Sequence, residues 1–230
     1  MTDVITVPVV PRVHVHGGGE FPVHRIYCVG RNYAEHAAEM GHDARESPFF
    51  FMKPADAVVP VREGETGLVD YPTLTTDLHH EIELVVAIGK GGANIAAADA
   101  MAHVWGYAVG LDMTRRDLQG EAKKLGRPWC TGKGFDQSAP IGPIHPAGAV
   151  AGIEHATIEL MVNGAVRQKS TTDKLIWNIA ETIEHLSKYF MLLPGDLIFT
   201  GTPEGVAAVQ AGDLLEGGIG GLGLLSVKLG

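Results

Sequence analysis

The sequence predicts a mixed, β-rich α+β fold in which a few short helices accompany many short strands. Its 230 residues are 45% hydrophobic, which is enough to bury a full core. The thirty glycines imply many tight turns, and glycine and proline divide the apolar residues into short runs. Asn163 and Gly164 separate two such runs and form the clearest hairpin signal in the chain. We expect residues 1–230 to form one domain, with residues 1–23 as an N-terminal extension packed on it.

The first half of the chain alternates predicted strands with short predicted helices. After edge strands in the first two dozen residues, apolar runs predict strands over residues 24–30, 47–54, 78–89 and 105–112. Helical composition predicts a helix over residues 33–40, where Gly41 is a stop signal, and another within residues 94–103. Glycine and proline between residues 55 and 77 predict hairpins and loop.

The second half begins with a predicted helix that Gly126 ends, followed by a loop over residues 127–145. The hairpin comes next, over residues 155–170. Asn178 and Glu181 have capping-box spacing and predict a helix that ends near Phe190. The run LIFT predicts a strand that enters the loop GTPEG, where Thr202 and the backbone of Gly201 and Gly205 could approach a ligand. A closing strand is expected over residues 224–229.

Charge and composition exclude several classes of function. The formal net charge of −9 disfavours nucleic acid and anionic membranes as partners. No apolar run approaches the roughly 18 residues needed to span a bilayer, and the start MTDVITVPVV has no basic region before its apolar residues. Cys28 and Cys130 are too few for a disulfide framework, so reduced thiols are expected. These observations predict a cytoplasmic protein.

The run LHHEIELVVAIG places two carboxylates in a predicted strand that is otherwise apolar. Alternation puts Glu81 and Glu83 on one face with Val85 and Ala87. An unpaired buried carboxylate costs several kcal/mol, so a basic side chain from elsewhere or a divalent cation is expected to meet the pair. The alternative is an exposed edge strand with two solvated acids.

A third carboxylate, Asp112, ends the predicted strand WGYAVGLD. Alternation places it on a face with Gly106, Ala108 and Gly110, which predicts a groove kept open by small side chains. Asp112 would then complete a set of oxygen ligands beside space for a substrate. The alternative role is an N-cap for the helix that follows, and the two roles are compatible.

A histidine and a glutamate lie three residues apart on the predicted helix 33–40. This spacing puts His36 and Glu39 on one face, where the carboxylate orients the imidazole and raises its basicity. Such a pair acts as a general base on water. The alternative is an exposed polar helix face.

The segments CVGRNYAEHAAEM, HHEIELVVAIGK, GYAVGLDMTRRDLQ, KGFDQSAPIGP and PGDLIFTGTPEGV together resemble the fumarylacetoacetate hydrolase family. The resemblance covers nearly everything from His24 to the C-terminus. It implies a β-sandwich roll, a homodimer, and Mg2+ or Mn2+ bound by Glu81, Glu83 and Asp112. The implied activity is hydrolysis of a carbon–carbon bond in an acylpyruvate, with fumarylpyruvate as the expected substrate in aromatic catabolism.

The resemblance also implies catalytic roles. His36 and Glu39 match the family's catalytic dyad. Lys133 and Gln119 match residues around the carbonyl and enolate oxygens of the substrate. From the residues alone, Lys133 lies in a loop between two glycines, which would let the backbone come close to a ligand and leave the amine unobstructed. The alternative is a solvated loop lysine.

Four further positions match substrate-binding residues of the family. Arg116 and Thr202 match contacts to the 2-oxo acid end of the substrate. Arg31 and Lys53 match basic positions of the pocket. A fumaryl group would also need a cation for its distal carboxylate, and Arg31, Arg115 and Arg127 are all candidates.

Alternative functions stay open on the same set of residues. The metal site could support decarboxylation of oxaloacetate or isomerisation of a hydroxymuconate-like diene acid, because family resemblance defines a site better than a reaction. A different class of answer is a non-catalytic protein that binds a metal and a 2-oxo acid. The predicted dyad favours hydrolysis.

Overall fold

The computed structural model describes residues 3–33 and 46–230. Its strands are β1 Arg12–His14, β2 Glu20–Pro22, β3 Ile26–Gly30, β4 Phe49–Lys53, β5 Val58–Pro60, β6 Thr66–Val69, β7 Leu78–His79, β8 Ile82–Ile88, β9 Val104–Leu111, β10 Thr114–Arg115, β11 Ala139–Ile141, β12 His145–Pro146, β13 Thr157–Val162, β14 Ala165–Thr171, β15 Leu197–Phe199, β16 Ala208–Val209, β17 Leu214–Ile219 and β18 Gly223–Leu229. The α-helices in these residues are α1 Ala97–Ala100, α2 Arg116–Lys124, α3 Cys130–Lys133 and α4 Ile179–Tyr189. The predicted β-rich α+β class with short helices is confirmed.

Two large sheets carry the fold. The larger has the order β4-β3-β15-β8-β9-β11-β5, with β12 also paired to β9, and the smaller has the order β14-β13-β17-β18-β6. Strands β13, β17 and β18 pack against β8 and β9. A third, small sheet of order β10-β7-β16 continues from β8 and β9 beyond the end of the larger sheet. The candidate carboxylates lie where these sheets meet.

Strand β8 has the predicted alternation of faces, and every residue in it is buried. One face, with Leu84 and Val86, joins the apolar core that also contains side chains of the smaller sheet. The opposite face, with Val85 and Ala87, joins a second apolar cluster that includes Phe199. Because both faces are covered, a carboxylate on this strand is held away from water, and the alternative of solvated edge acids is wrong.

The small residues of β9 do not leave a groove, so that part of the prediction is wrong. A Cβ at Gly110 would lie 2.5 Å from Val85 and 2.7 Å from Phe199, and one at Gly106 would lie 2.3 Å from the carbonyl oxygen of His145. These glycines therefore allow close packing within the sheet and with β12. The cavity described below lies at the end of the strand.

Local signals predicted the hairpin and α4, which is the longest of the described helices. Strands β13 and β14 are antiparallel, and both Asn163 and Gly164 have positive φ, as a two-residue turn of this kind requires. Helix α4 begins at an N-cap, Asn178, whose side chain accepts from the amide of Glu181 while the Glu181 carboxylate accepts from the amide of Asn178.

Pairing between distant segments accounts for the errors elsewhere. Residues 55–77 do not form hairpins, since β5 pairs in parallel with β11 and β6 pairs in parallel with β18. The predicted loop 127–145 contains α3, β11 and β12. Beyond Tyr33, the predicted helix 33–40 lies outside the described residues. The single-domain organisation with an extension over residues 1–23 stays a prediction. No helix in the described ranges is long and apolar enough to cross a membrane.

Candidate active site

Three carboxylates meet at the junction of the sheets. Glu81 lies between β7 and β8, Glu83 is in β8, and Asp112 directly follows β9. The antiparallel register of β8 and β9 brings Glu81 opposite Asp112, whose amide donates to the Glu81 carbonyl at 2.8 Å. All three side chains are buried, and their ligand oxygens lie within 4.8 Å of one another. The structure thus brings together the three acids that the sequence singled out.

Lys133 is the central cation of this cluster. Its Nζ donates to Glu81 Oε2 at 2.7 Å, to Asp112 Oδ2 at 2.6 Å and to Thr114 Oγ1 at 2.6 Å. Burial alone would lower the pKa of Lys133, but Asp112 and Glu81 outweigh it and raise the pKa. The ammonium is therefore charged, and the predicted unobstructed amine is wrong.

Two further cations among the described residues belong to this ion-pair network. Lys53 Nζ lies 2.8 Å from Asp112 Oδ1 and also donates to the carbonyl oxygens of Met113 and Lys133. The Arg116 guanidinium donates to Glu81 Oε1. Lys53 is buried and does not line the cavity described below. Its position fits the support of Asp112 better than contact with a substrate.

Glu83 differs from the other two acids because its side chain accepts a hydrogen bond from a backbone amide. Gly201 N donates to Glu83 Oε2 at 2.7 Å. Burial raises the pKa of Glu83 well above its usual range, and repulsion from Asp112 and Glu81 raises it further. Added positive charge beside these three acids would therefore favour the ionised form of Glu83.

The donor set fits a divalent cation. Carboxylate oxygens are the ligands that Mg2+ prefers, and octahedral coordination at about 2.1 Å separates ligand oxygens by roughly 3 to 4.2 Å. The spacing of Glu81, Glu83 and Asp112, within 4.8 Å, is compatible with that geometry. Three ligands would leave other coordination positions for water or substrate oxygens.

The carboxylates line a cavity of about 40 Å³. Eight predicted site residues line it, namely Arg31, Glu81, Glu83, Asp112, Arg116, Gln119, Lys133 and Thr202. Lys53 does not line it. The predicted dyad, His36 and Glu39, lies outside the described residues. Every other predicted site residue therefore either lines this cavity or, in the case of Lys53, pairs with a carboxylate that does.

Helix α2 carries three of the lining residues, Arg116, Gln119 and Lys123. Arg116 is its first residue, and its Nη1 donates to Gln119 Oε1 at 2.6 Å, so the two side chains are held as a unit. The helix follows Arg115 and has no side-chain cap. The alternative role of Asp112 as the N-cap of this helix is therefore wrong, and its carboxylate is bound by lysines instead.

A short helix that the sequence did not predict positions Lys133. Lys133 is the last residue of α3, and Gly132 lies against α2, where a Cβ would be 2.9 Å from the amide nitrogen of Gln119. The glycine lets the two helices pack closely. The function of Gly132 is thus to bring Lys133 and Gln119 to one cavity, and not to open backbone to a ligand.

The loop after β15 approaches protein rather than open space. A Cβ at Gly201 would lie 2.7 Å from the Asn32 side chain, and a Cβ at Gly205 would lie 2.2 Å from the Arg167 carbonyl oxygen. Both residues have positive φ. The prediction that these glycines admit a ligand is therefore wrong. They allow two close packing contacts, and Gly201 also donates the hydrogen bond to Glu83.

Gln168 is a site residue that the sequence analysis missed. Its Oε1 accepts from the amide of Ile82 at 3.1 Å and is 2.9 Å from His80 Nδ1, so it binds the residues on either side of Glu81. Its Nε2 donates to Thr202 Oγ1 and to the Pro203 carbonyl, both at 2.8 Å. Since the Thr202 oxygen accepts here, its own proton is available to the cavity. No local pattern in β14 indicates this role.

We expect Gln168→Met to lower the free energy of unfolding by about 2 to 4 kcal/mol, because it leaves several buried groups without a partner. Urea denaturation monitored by circular dichroism measures the change. Gln210→Met is the matched control, because Gln210 is exposed. Equal stability of the two variants would contradict this role for Gln168.

The family model for the fumarylacetoacetate (FAA) hydrolase C-terminal region matches residues 25–229. The chain belongs to the fumarylacetoacetate hydrolase family. The family-type roll expected from the sequence is confirmed by solved structures of the family. The chain matches a crystal structure of fumarylpyruvate hydrolase from Pseudomonas aeruginosa in complex with Mn2+ and pyruvate, with a TM-score of 0.97 and 57% identity over 99% of each chain.

Two curated relatives indicate the range of chemistry in this family. A fumarylpyruvate hydrolase from Ralstonia sp is 47% identical over 185 residues, which cover 80% of this chain and 94% of the relative. A mitochondrial oxaloacetate tautomerase from Bos taurus is 43% identical over 203 residues, which cover 88% of this chain and 89% of the relative. Relatives of comparable sequence identity to this chain are thus named for different reactions, one as a hydrolase and one as a tautomerase.

Proposed function

We propose that this protein hydrolyses fumarylpyruvate to fumarate and pyruvate with the help of Mg2+ or Mn2+. The observation that carries the proposal is the buried cluster of Glu81, Glu83 and Asp112 in the cavity that Lys133 also lines. The named relatives support the choice of substrate, since one fumarylpyruvate hydrolase binds Mn2+ and pyruvate in its crystal structure.

The reaction breaks the bond between C3 and C4 of the substrate. Water adds to the C4 carbonyl, C4 leaves as the new carboxyl group of fumarate, and the electron pair of the broken bond goes to the pyruvate enolate, which is then protonated at C3. Glu81, Glu83 and Asp112 would hold the cation, which when bound supplies Lewis acidity toward the oxygens of the 2-oxo acid end.

The cationic residues of the cavity bind and orient the substrate in this proposal. Arg116 presents a guanidinium, which suits a carboxylate, and Gln119 holds it in place. The Thr202 hydroxyl donates a hydrogen bond to the same end of the substrate. Lys133 donates to oxygen where negative charge develops, and one such donor is often worth about 3 to 4 kcal/mol in the transition state.

His36 and Glu39 are proposed as catalytic residues on the basis of the sequence. We assign His36 to remove a proton from the attacking water, and Glu39 to orient the imidazole of His36. Both residues lie outside the described part of the chain. Their role therefore rests on their spacing and on the resemblance to the family.

Substrate entry requires movement of side chains. The cavity volume is small, at about 40 Å³. Lys133 and Arg116 fill much of the site through their ion pairs with the carboxylates. We expect both flexible side chains to move away from the acids as the cation and the 2-oxo acid bind.

Oxaloacetate chemistry is the second candidate function, because a relative of 43% identity is named as an oxaloacetate tautomerase. Decarboxylation of oxaloacetate would use the same enolate-stabilising residues, as would isomerisation of a hydroxymuconate-like acid. A binding protein without catalysis is a more remote alternative.

Ultraviolet-monitored turnover tests the proposal. Fumarylpyruvate, acetylpyruvate and oxaloacetate are each incubated with the protein in Mn2+ or Mg2+, and again after chelation. We expect rapid loss of fumarylpyruvate that chelation abolishes and added metal restores. Activity on oxaloacetate alone would contradict the proposal and favour the second candidate.

We also propose that the protein is a cytoplasmic homodimer with no nucleic-acid or membrane partner. The family resemblance supports the dimer, and the net charge of −9 argues against anionic partners. Cys28 and Cys130 are free thiols, which is usual in a reducing compartment. Light scattering on a size-exclusion column measures the mass, and a monomer would contradict the dimer.

A further inference from the structure

Arg31 and Lys123 differ from the three cations that pair with the carboxylate cluster. Lys133, Lys53 and Arg116 each pair with Glu81 or Asp112. Arg31 and Lys123 also line the cavity, and within residues 3–33 and 46–230 neither forms an ion pair with a carboxylate. Among the described residues, the cavity therefore has two positive charges that no carboxylate pairs with, in addition to its acidic cluster.

Lys123 is destabilised as a cation by partial burial and by repulsion from neighbouring arginines. Partial burial lowers the pKa of Lys123, and the nearby charges of Arg31 and Arg116 lower it further. An anion bound beside Arg31 and Lys123 would offset both effects by stabilising the charged amine. The chemistry of this part of the cavity is thus suited to a carboxylate.

Aromatic rings hold the two cations in place. The Arg31 guanidinium lies 5.3 Å from the centre of the Phe49 ring, and Lys123 Nζ lies 5.9 Å from the centre of the Trp129 ring. The two rings pack edge to face at 5.4 Å and both line the cavity. A planar, unsaturated chain has an apolar wall to lie against here, and a carboxylate at its end has two cations to meet.

The other basic residues considered from the sequence face elsewhere. Arg115 stacks on Phe135 at 4.3 Å and donates to the Thr131 carbonyl at 3.3 Å. Arg127 is exposed and lies 3.8 Å from Glu121. Neither lines the cavity. Of the three candidates for the distal carboxylate, only Arg31 lines the cavity, and Lys123 is a further cation there that the sequence does not indicate.

We propose that Arg31 and Lys123 form a subsite for a second carboxylate, at the far end of the acyl group from the 2-oxo acid. This inference rests on the proposed function and deepens it. The protein then selects acylpyruvates whose acyl group ends in a carboxylate over those, such as acetylpyruvate, that end in a methyl group. Selection comes from charge at the subsite and from the aromatic wall beside it.

Calorimetry with two matched acids tests the subsite. The probes are 2-oxoheptanedioate and 2-oxoheptanoate, which have the same length and the same 2-oxo acid end and differ only in the distal carboxylate. Both lack a 4-oxo group, so binding to the Mn2+-loaded protein is measured without the proposed hydrolysis. Failure of the subsite is therefore separable from failure of the hydrolase assay.

We expect the wild-type protein to bind the diacid at least about tenfold more tightly than the monoacid. Lys123→Met and Arg31→Met should each lose most of this preference while still binding the monoacid as wild type does. Lys124→Met is the control, because the neighbouring Lys124 is exposed and does not line the cavity, and it should keep the preference. Absence of a preference in wild type, retention of it in both test variants, or failure of both acids to bind would overturn the subsite.

Discussion

Replacing Glu83 by Gln is expected to abolish divalent-cation binding and turnover while leaving the metal-free protein at least as stable as wild type. The amide keeps an acceptor for Gly201 N, and it removes a carboxylate that burial and repulsion from Glu81 and Asp112 disfavour. A cation would lose one of its three protein ligands. Thermal unfolding with and without Mn2+ measures both effects, since a ligand that binds only the folded state raises its stability.

The control for this experiment is Glu65→Gln, which changes an exposed glutamate by the same chemistry. It should leave turnover and the Mn2+-induced shift in melting temperature as in wild type. A Glu83→Gln protein that still gained stability from Mn2+ as wild type does would contradict the assignment of Glu83 as a ligand.

Replacing Lys133 by Met is expected to destabilise the metal-free protein by about 3 to 5 kcal/mol, because it leaves buried carboxylates of Glu81 and Asp112 without their shared cation. Added Mn2+ should restore much of this loss by supplying positive charge at the same place. The shift in melting temperature on adding Mn2+ should therefore exceed that of wild type. Turnover of the metal-loaded variant should fall by about 10²- to 10³-fold, as for loss of one catalytic hydrogen-bond donor.

Lys124→Met again serves as the control, with no expected change in stability, metal response or turnover. Metal-free Lys133→Met that was as stable as this control would contradict the counter-ion role of Lys133. A normal rate in the metal-loaded variant would contradict its catalytic role. Mn2+ is thus expected to stabilise Lys133→Met more than wild type and not to stabilise Glu83→Gln. A general loss of folding could not produce these opposite responses.

Alternation along β8 made the most informative part of the site predictable. Two acids in a strand with two apolar faces can be read from the sequence, and burial then demands a positive partner. Which partner meets them cannot be read in this way, because Lys133 lies 50 residues further along the chain in a helix of one turn. The lysine was assigned from family resemblance, and its contacts with Asp112 and Thr114 come from the tertiary structure.

Glycine was the least reliable guide. Gly110, Gly132 and Gly205 suggested open space, yet each lies where a Cβ would collide with a neighbouring residue. Glycine marks close approach without indicating what approaches, and here the neighbours are protein. The same limit applies to Gln168, whose four buried hydrogen bonds join segments that are far apart in the sequence.

Isotope labelling during turnover tests the central claim, hydrolysis at C4, most directly. Fumarylpyruvate is incubated with the Mn2+-loaded protein in water enriched in oxygen-18, and the products are analysed by mass spectrometry. Hydrolysis predicts one labelled oxygen in the new carboxylate of each fumarate released, in equal amount to pyruvate. Release of carbon dioxide without fumarate, or recovery of an isomer with no cleavage products, would contradict the account.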